Sequence, residues 1–146
     1  MPESLGIAAF GTLMKIGDGG TPESFATIAE VTDLQGPSGK TAMVELTNHG
    51  SPSAHTERVP TIVDPGTWKL SVNFTPTAIT QNYATGLIRD WINRTKRNFR
   101  LVWPNAANTT IAFAAYVTAF DTKAPVDGKL SADISLDVTG VYTWTN

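Results

Sequence analysis

The chain has 146 residues, a formal charge of −2 and a sequence pI near 5.6, which argues against a protein that grips nucleic acid through a broad basic face. With no cysteine it has no disulfide framework, no thiolate metal site and no cysteine nucleophile. Hydrophobic residues make up 41% and charged residues only 16%, below the usual quarter, which suits a single β-rich domain over residues 1–146 that packs against other protein.

The N-terminal run MPESLGIAAFGTLMKIG lacks a basic leader, and its apolar stretch is short and stops at Lys15. Neither a signal peptide nor a membrane span is expected, and synthesis and retention in the cytoplasm are. Residues 10–16 predict a first strand, ended by the turn-rich GDGGTPES of residues 17–24. Residues 25–34 place Phe25, Ile28, Val31 and Leu34 three apart, but Thr27, Val31 and Thr32 are β-branched and favour a strand, bulged if need be. After the break at residues 36–39, residues 41–47 alternate, with Ala42, Val44 and Leu46 on one face.

Residues 47–66 read TNHGSPSAHTERVPTIVDPG, a polar run punctuated by proline and glycine. Connections of that length are uncommon in compact domains and are usually functional or disordered. Its low apolar content predicts a projecting arm that orders on docking. The arm leaves into residues 68–74, where Trp68, Leu70, Val72 and Phe74 alternate with polar neighbours.

The period then changes. From about residue 81 to 95, Tyr83, Leu87, Ile88, Trp91 and Ile92 fall on one helical face, with Thr80 or Asn82 available as a cap. Gly86 inside that helix implies a close backbone contact with the sheet. Residues 99–103 and 110–120 predict further strands, the second apolar or small on both faces and so covered on both. Residues 130–144 form a long last strand with a greasy face from Leu130 to Trp144 and a polar one carrying Asp133 and Asp137. The fold class that results is mainly β: a β-sandwich or partly closed barrel of about seven strands with one flanking helix and the projecting loop at about residues 47–66. Open edges of such a domain are candidates for strand-to-strand oligomerisation.

Chemistry is sparse. His49 and His55, with Glu57 and Asp64 nearby, allow a two-histidine, one-carboxylate metal site to be drawn, but no regular element fixes their geometry and they read as solvent or interface groups. Ser51 or Ser53 with the same residues lacks the rigid support of a hydrolytic triad. GDGG at residues 17–20 lacks the lysine and following helix of a phosphate loop. No cofactor and no metal are expected. Arg89, Arg94, Lys96, Arg97 and Arg100 put five of the eleven basic residues in one short stretch, read as helix-end cations and an interface for an acidic neighbour. Asp133 and Asp137 read either as a solvated face or as a surface past which a polyanion slides without sticking.

The order of elements, with FATIAEVTDLQGPSGKTAMVELTNH at 25–49, IVDPGTWKLSVNFTP at 62–76 and LSADISLDVTGVYTW at 130–144, resembles the tail tube proteins (major tail proteins) of long non-contractile-tailed bacteriophages. Leu46-Thr47 stands where that family enters its long loop, and Asp64-Pro65-Gly66 where it leaves. The resemblance implies a non-enzymatic virion protein, made in the host cytoplasm, whose hexameric rings stack into a hollow tube. Its loop reaches the adjacent ring, which assigns that contact to Thr47, Asn48, His49, His55, Glu57, Arg58, Val59, Ile62, Val63 and Asp64. It also implies an acidic lumen, for which Asp133 and Asp137 are candidates, and as partners a tape measure protein inside, tail terminator and tip proteins at the ends, and double-stranded DNA in transit. No membrane is involved. Related tubes serve contractile tails and type VI secretion. With its last residues at Trp144-Thr145-Asn146, the sequence is expected to lack the immunoglobulin-like domain of larger members. The competing expectation from the residues is a monomeric binding module, carbohydrate-binding or decorative, but such a module needs exposed aromatics and Trp68, Trp91, Trp103 and Trp144 all fall on apolar faces.

Overall fold

The computed structural model describes residues 3–146, so the first two residues of the run read for a leader lie outside it. In chain order the elements are β1 (Leu13–Gly17), β2 (Phe25–Thr27), β3 (Val31–Gln35), β4 (Lys40–Glu45), a 3-10 turn (Pro52–Ala54), β5 (Arg58–Asp64), β6 (Thr67–Asn73), α1 (Leu87–Asn93), β7 (Arg97–Val102), β8 (Thr110–Lys123) and β9 (Ser131–Thr145). Among the described residues, no helix is long and apolar enough to cross a membrane.

Seven strands form one antiparallel sheet in the order β2-β1-β7-β8-β9-β6-β3, and β4 and β5 form a separate hairpin. The two edges of the large sheet, β2 and β3, are consecutive in the chain and joined only by residues 28–30. Ile28 N–H donates to the Met14 carbonyl of β1 (2.9 Å), and Asn73 N–H of β6 donates to the Glu30 carbonyl (2.8 Å). The short link thus bonds to both ends of the sheet, which must curl until those ends meet there: a partly closed barrel. Residues 25–34 are therefore two strands rather than one. Glu30 takes the left-handed conformation (φ 61) that turns the chain from one edge to the other.

The concave face holds one core. Met14 and Ile16 of β1, Phe99 and Leu101 of β7, Ile111, Phe113, Ala115 and Val117 of β8, four residues of β9 and Trp68, Leu70 and Val72 of β6 are all buried in it. Each fully buried large side chain contributes about 1.5–3 kcal/mol. Phe113 is central, stacking on Trp68 (5.8 Å) and Phe99 (5.8 Å) and meeting Tyr142 edge-on (5.6 Å).

The long strands depart from simple alternation. A bulge between Val117 and Ala119 shifts the register, so that Phe120 pairs with Ile134 and joins the concave side, where its ring meets Phe74 edge-on at 5.5 Å. Strand β8 is also not covered on both faces as its composition predicts. Ala112 and Ala114 are half-buried and Tyr116 is exposed, because the outer face carries small residues without a second layer over them.

The helix is half the expected length. Residues 77–86 form turns, and α1 begins only after Gly86, an extended N-cap without a side-chain capping bond. Asn82 accepts instead from Thr85 N–H (2.7 Å) and Gly86 N–H (3.0 Å), closing the preceding turn. A Cβ at Gly86 would stand 2.5 Å from backbone atoms of Thr80, Gln81 and Asn82, so the glycine permits a close approach to that turn, not to the sheet. Of the predicted apolar helix face, Leu87 is buried, but Tyr83, Trp91 and Ile92 are exposed. Trp91 still stacks on Phe120 (6.1 Å), setting α1 against the end of β8.

Candidate functional site

The feature that stands outside the barrel is the β4–β5 hairpin. Every residue of both strands is exposed, so the expected buried face of Ala42, Val44 and Leu46 lies in solvent, and β4 pairs with the arm itself rather than with β6. The arm predicted over 47–66 is present, but 7 of its residues form strand β5. The pairing runs from Lys40 opposite Asp64 to Glu45 opposite Arg58, with a bulge between Thr41 and Met43. Pro60 sits in β5 because an isolated hairpin leaves edge positions that need no donor.

The irregular part shrinks to residues 46–57, and it has bonds of its own. Leu46 N–H donates to the Glu57 carbonyl (2.8 Å), Glu57 N–H to Thr47 Oγ1 (2.9 Å), Asn48 N–H to Ser51 Oγ (2.9 Å), and Ser51 Oγ–H to Glu57 Oε2 (2.9 Å). His55 Nδ1 lies 2.8 Å from the Ser53 carbonyl, while His49 occupies the turn before it. The arm thus carries its own hydrogen-bonded framework, where low apolar content alone predicts a segment ordered only on docking.

Of the predicted contact residues, Thr47, Asn48, His49, His55 and Glu57 gather at the tip, and Arg58, Val59, Ile62, Val63 and Asp64 run along β5. Sequence reasoning missed their partners across the hairpin, Met43 and Val44, and Leu46 just beyond β4. These are exposed by 52%, 44% and 51%, and Ile62 and Val63 by 75% and 65%, an apolar surface that nothing in the subunit covers. The alternation of β4 carried the signal, but alternation does not say which neighbour a strand takes.

The stalk is tight. Asp64 Oδ1 accepts from Gly66 N–H (2.9 Å), and the Gly66 carbonyl accepts from Val138 N–H (3.1 Å). Gly66 has φ +87, and a Cβ there would meet Ser38 and Gly39 at 2.5–2.6 Å, so the two chains of the stalk pass almost in contact. Tyr142 Oη–H donates to the Pro65 carbonyl at 2.6 Å, and burial pushes the Tyr142 phenol above its usual range.

The five cations do not form one patch. Arg97 turns inward: Nη1 donates to both oxygens of the fully buried Asp90 (2.9 and 3.2 Å), while Nε and Nη2 donate to the Gly17 carbonyl. A cation assigned from sequence to an outward interface is thereby committed to joining α1, β7 and β1. Arg89 and Lys96 border the same concavity beside Gly17, Arg94 lines a groove with Trp91 and Tyr116, and Arg100 lies over the Phe25 ring at 4.0 Å.

Asp133 and Asp137 share the outer face of β9. Asp133 accepts from Ser71 Oγ (2.8 Å) and pairs with Lys123 Nζ (3.1 Å); the hydroxyl first, then the ammonium, hold its carboxyl below the usual range. Asp137 accepts from Thr67 Oγ1 (2.9 Å), and Asp121, unnoticed in the sequence, stands opposite Asp133. The tryptophans divide: Trp68 is 2% exposed, Trp103 stacks on Trp144 at 5.4 Å, and Trp144 and Trp91 are 61% and 42% exposed.

No family model matches the sequence, and no curated protein matches it. Solved structures do match the fold. A chain from the tail of an empty gene transfer agent particle, with C6 symmetry, superposes with a TM-score of 0.73 at 17% identity over 92% of this chain and 95% of its own. The fold is that of tail-tube chains. The SPP1 tail tube chain gives 0.66 at 13% identity, covering 91% of this chain and 75% of its own. A chain from the sheath-tube complex of an extracellular contractile injection system in its extended state gives 0.68 at 14%, over 97% and 92%.

Proposed function

We infer that the chain is a structural subunit of a tail tube, forming hexameric rings that stack into a hollow conduit in a phage-like particle. The observation that carries this is the fully exposed, apolar β4–β5 hairpin on a fold shared along nearly the whole chain with subunits of tails and tubes. A surface of that kind on a small domain marks a protein contact.

In this proposal the hairpin reaches an adjacent ring through its tip residues and through Val59, Ile62 and Val63, now joined by Met43 and Val44. The acidic outer face of β8 and β9, with Asp121 on β8 and Asp133 and Asp137 on β9, faces the lumen, where like charge keeps passing DNA from adhering. The tape measure protein occupies the lumen before ejection, terminator and tip proteins close the ends, and the protein works in the virion after assembly in host cytoplasm. The likeness to a contractile sheath-tube chain favours a second version, in which the tube carries an outer sheath.

Electron microscopy of the purified protein over a concentration series, with sedimentation alongside, tests the proposal. Rings or tubes of uniform width are expected. A strict monomer at every concentration, with and without tape measure protein as initiator, would overturn it. Particles bearing a sheath around the tube would favour the contractile version.

A further inference from the structure

A hairpin with no buried residue cannot hold its own direction; its aim is set at the stalk. There the structure places a side chain of β9. Tyr142 lies near the end of β9, its ring set edge-on against core residue Phe113, and its hydroxyl reaches the Pro65 carbonyl at 2.6 Å, the residue at which β5 turns back into β6. Beside it, Gly66 passes within Cβ-clash distance of Ser38 and Gly39, and Val138 N–H holds the Gly66 carbonyl.

We propose that Tyr142 is a positioning residue for assembly: its hydroxyl latches the stalk at Pro65 and fixes the angle at which the hairpin leaves the barrel. The tight Gly66 crossing removes sideways freedom, because the two chains of the stalk already touch. It leaves rotation about the crossing, and that rotation moves the Pro65 carbonyl away from the phenol. The latch is rigid because the ring that carries the hydroxyl is packed into the core, so this hydrogen bond, added to that from Val138 N–H to the Gly66 carbonyl, passes the barrel's frame to the hairpin. Free subunits would then present the arm already aimed, lowering the ordering cost of each docking step.

The importance of that aim for assembly rests on the tube proposal, whereas the latch itself is measurable in the free subunit. Because the chain has no cysteine, Ser53→Cys and Lys69→Cys introduce a unique pair of spin labels, one at the hairpin tip and one on strand β6. In that background the tip-to-barrel distance is expected to be a single narrow distribution, and Tyr142→Phe, which keeps the ring on Phe113 and removes only the hydroxyl, is expected to broaden it. The melting temperature of the barrel should stay nearly constant. In tube assays without labels, Tyr142→Phe should raise the concentration needed for tube growth several-fold.

An unchanged distance distribution overturns the latch. Broadened distances with unchanged tube growth overturn its role in assembly while leaving the tube proposal standing, and absence of tubes from the unaltered protein counts against the tube proposal and so against that role. Should Tyr142→Phe fail to fold, the Tyr142 hydroxyl proton in the unaltered protein decides. Exchange with water slower than at Tyr83, which is 76% exposed, is expected, and equal exchange overturns the latch.

Discussion

Asp90 and Gln81 are the fully buried polar side chains among the described residues, and each holds elements that sequence spacing does not connect. Gln81 donates to the carbonyls of Ala29 (2.7 Å) and Asn73 (3.3 Å) and accepts from Thr75 N–H (2.9 Å), tying the link between the sheet edges to the turns before α1. Asp90 pairs with Arg97, whose side chain is only 14% exposed. Replacing Asp90 by alanine should strand that guanidinium and cost about 3–5 kcal/mol, read as a lowered denaturation midpoint. Burial raises the Asp90 carboxyl above 3.8, with Arg97 opposing it. The protonation-linked part of its contribution is thus full below 3.8 and lost as pH rises through the raised value, leaving the ion pair with Arg97. Asp133 is the reverse case: its carboxyl is depressed, so its contribution holds above 3.8 and is lost as pH falls through the lowered value, and it is small because the pair is exposed to solvent. Carboxyl titration by NMR checks both signs; an Asp90 that titrates below 3.8 would show that Arg97 outweighs burial.

Among the elements, the hairpin is the separable one. Lys40 and Asp64 are opposite each other where it joins the barrel, so residues 41–63 can be replaced by an Asn-Gly turn without stretching the chain. No buried residue is lost, and the shortened protein is expected to melt within a few degrees of the parent by circular dichroism yet to form no tubes. Tube growth by that variant would remove the hairpin from the mechanism. Helix α1 is the opposite kind of element. Seven residues do not make a stable helix alone, and it persists because Leu87 is buried and Asp90 is tied to Arg97. Its shortness was not legible in the period of Leu87, Trp91 and Ile92. That pattern continues back to Tyr83, and only the Gly86 approach to residues 80–82 shows where the helix has to start.

For the molecule as a whole, the tube proposal assigns association of copies to the unburied apolar residues of the hairpin. A charge placed at Ile62 or Val63, which touch no core, should leave folding intact and raise the concentration at which sedimentation first detects assembly by tenfold or more. If Ile62→Asp and Val63→Asp sediment like the parent, those residues are not contact sites. The same surface left uncovered would be an aggregation hazard, which is why the proposal gives it an acceptor on another copy.

Composition and alternation by themselves determined a mainly β fold, the long final strand, the turn positions and the existence of an arm between residues 47 and 66. These depend on local rules: side chains alternate along a strand, and glycine and proline end it. The tertiary structure alone decided which strands pair, because pairing joins residues far apart in the chain. It made residues 25–34 the two edges of one curled sheet, gave β4 to β5 instead of β6, moved Phe120 into the core through a bulge one residue wide, and turned Arg97 from a surface cation into an internal tie. The arm's tip and its β5 residues were named from sequence. Its apolar partners on β4 and its latch at Tyr142 were not, because a residue's exposure and its distant contacts follow from packing, which no local period encodes.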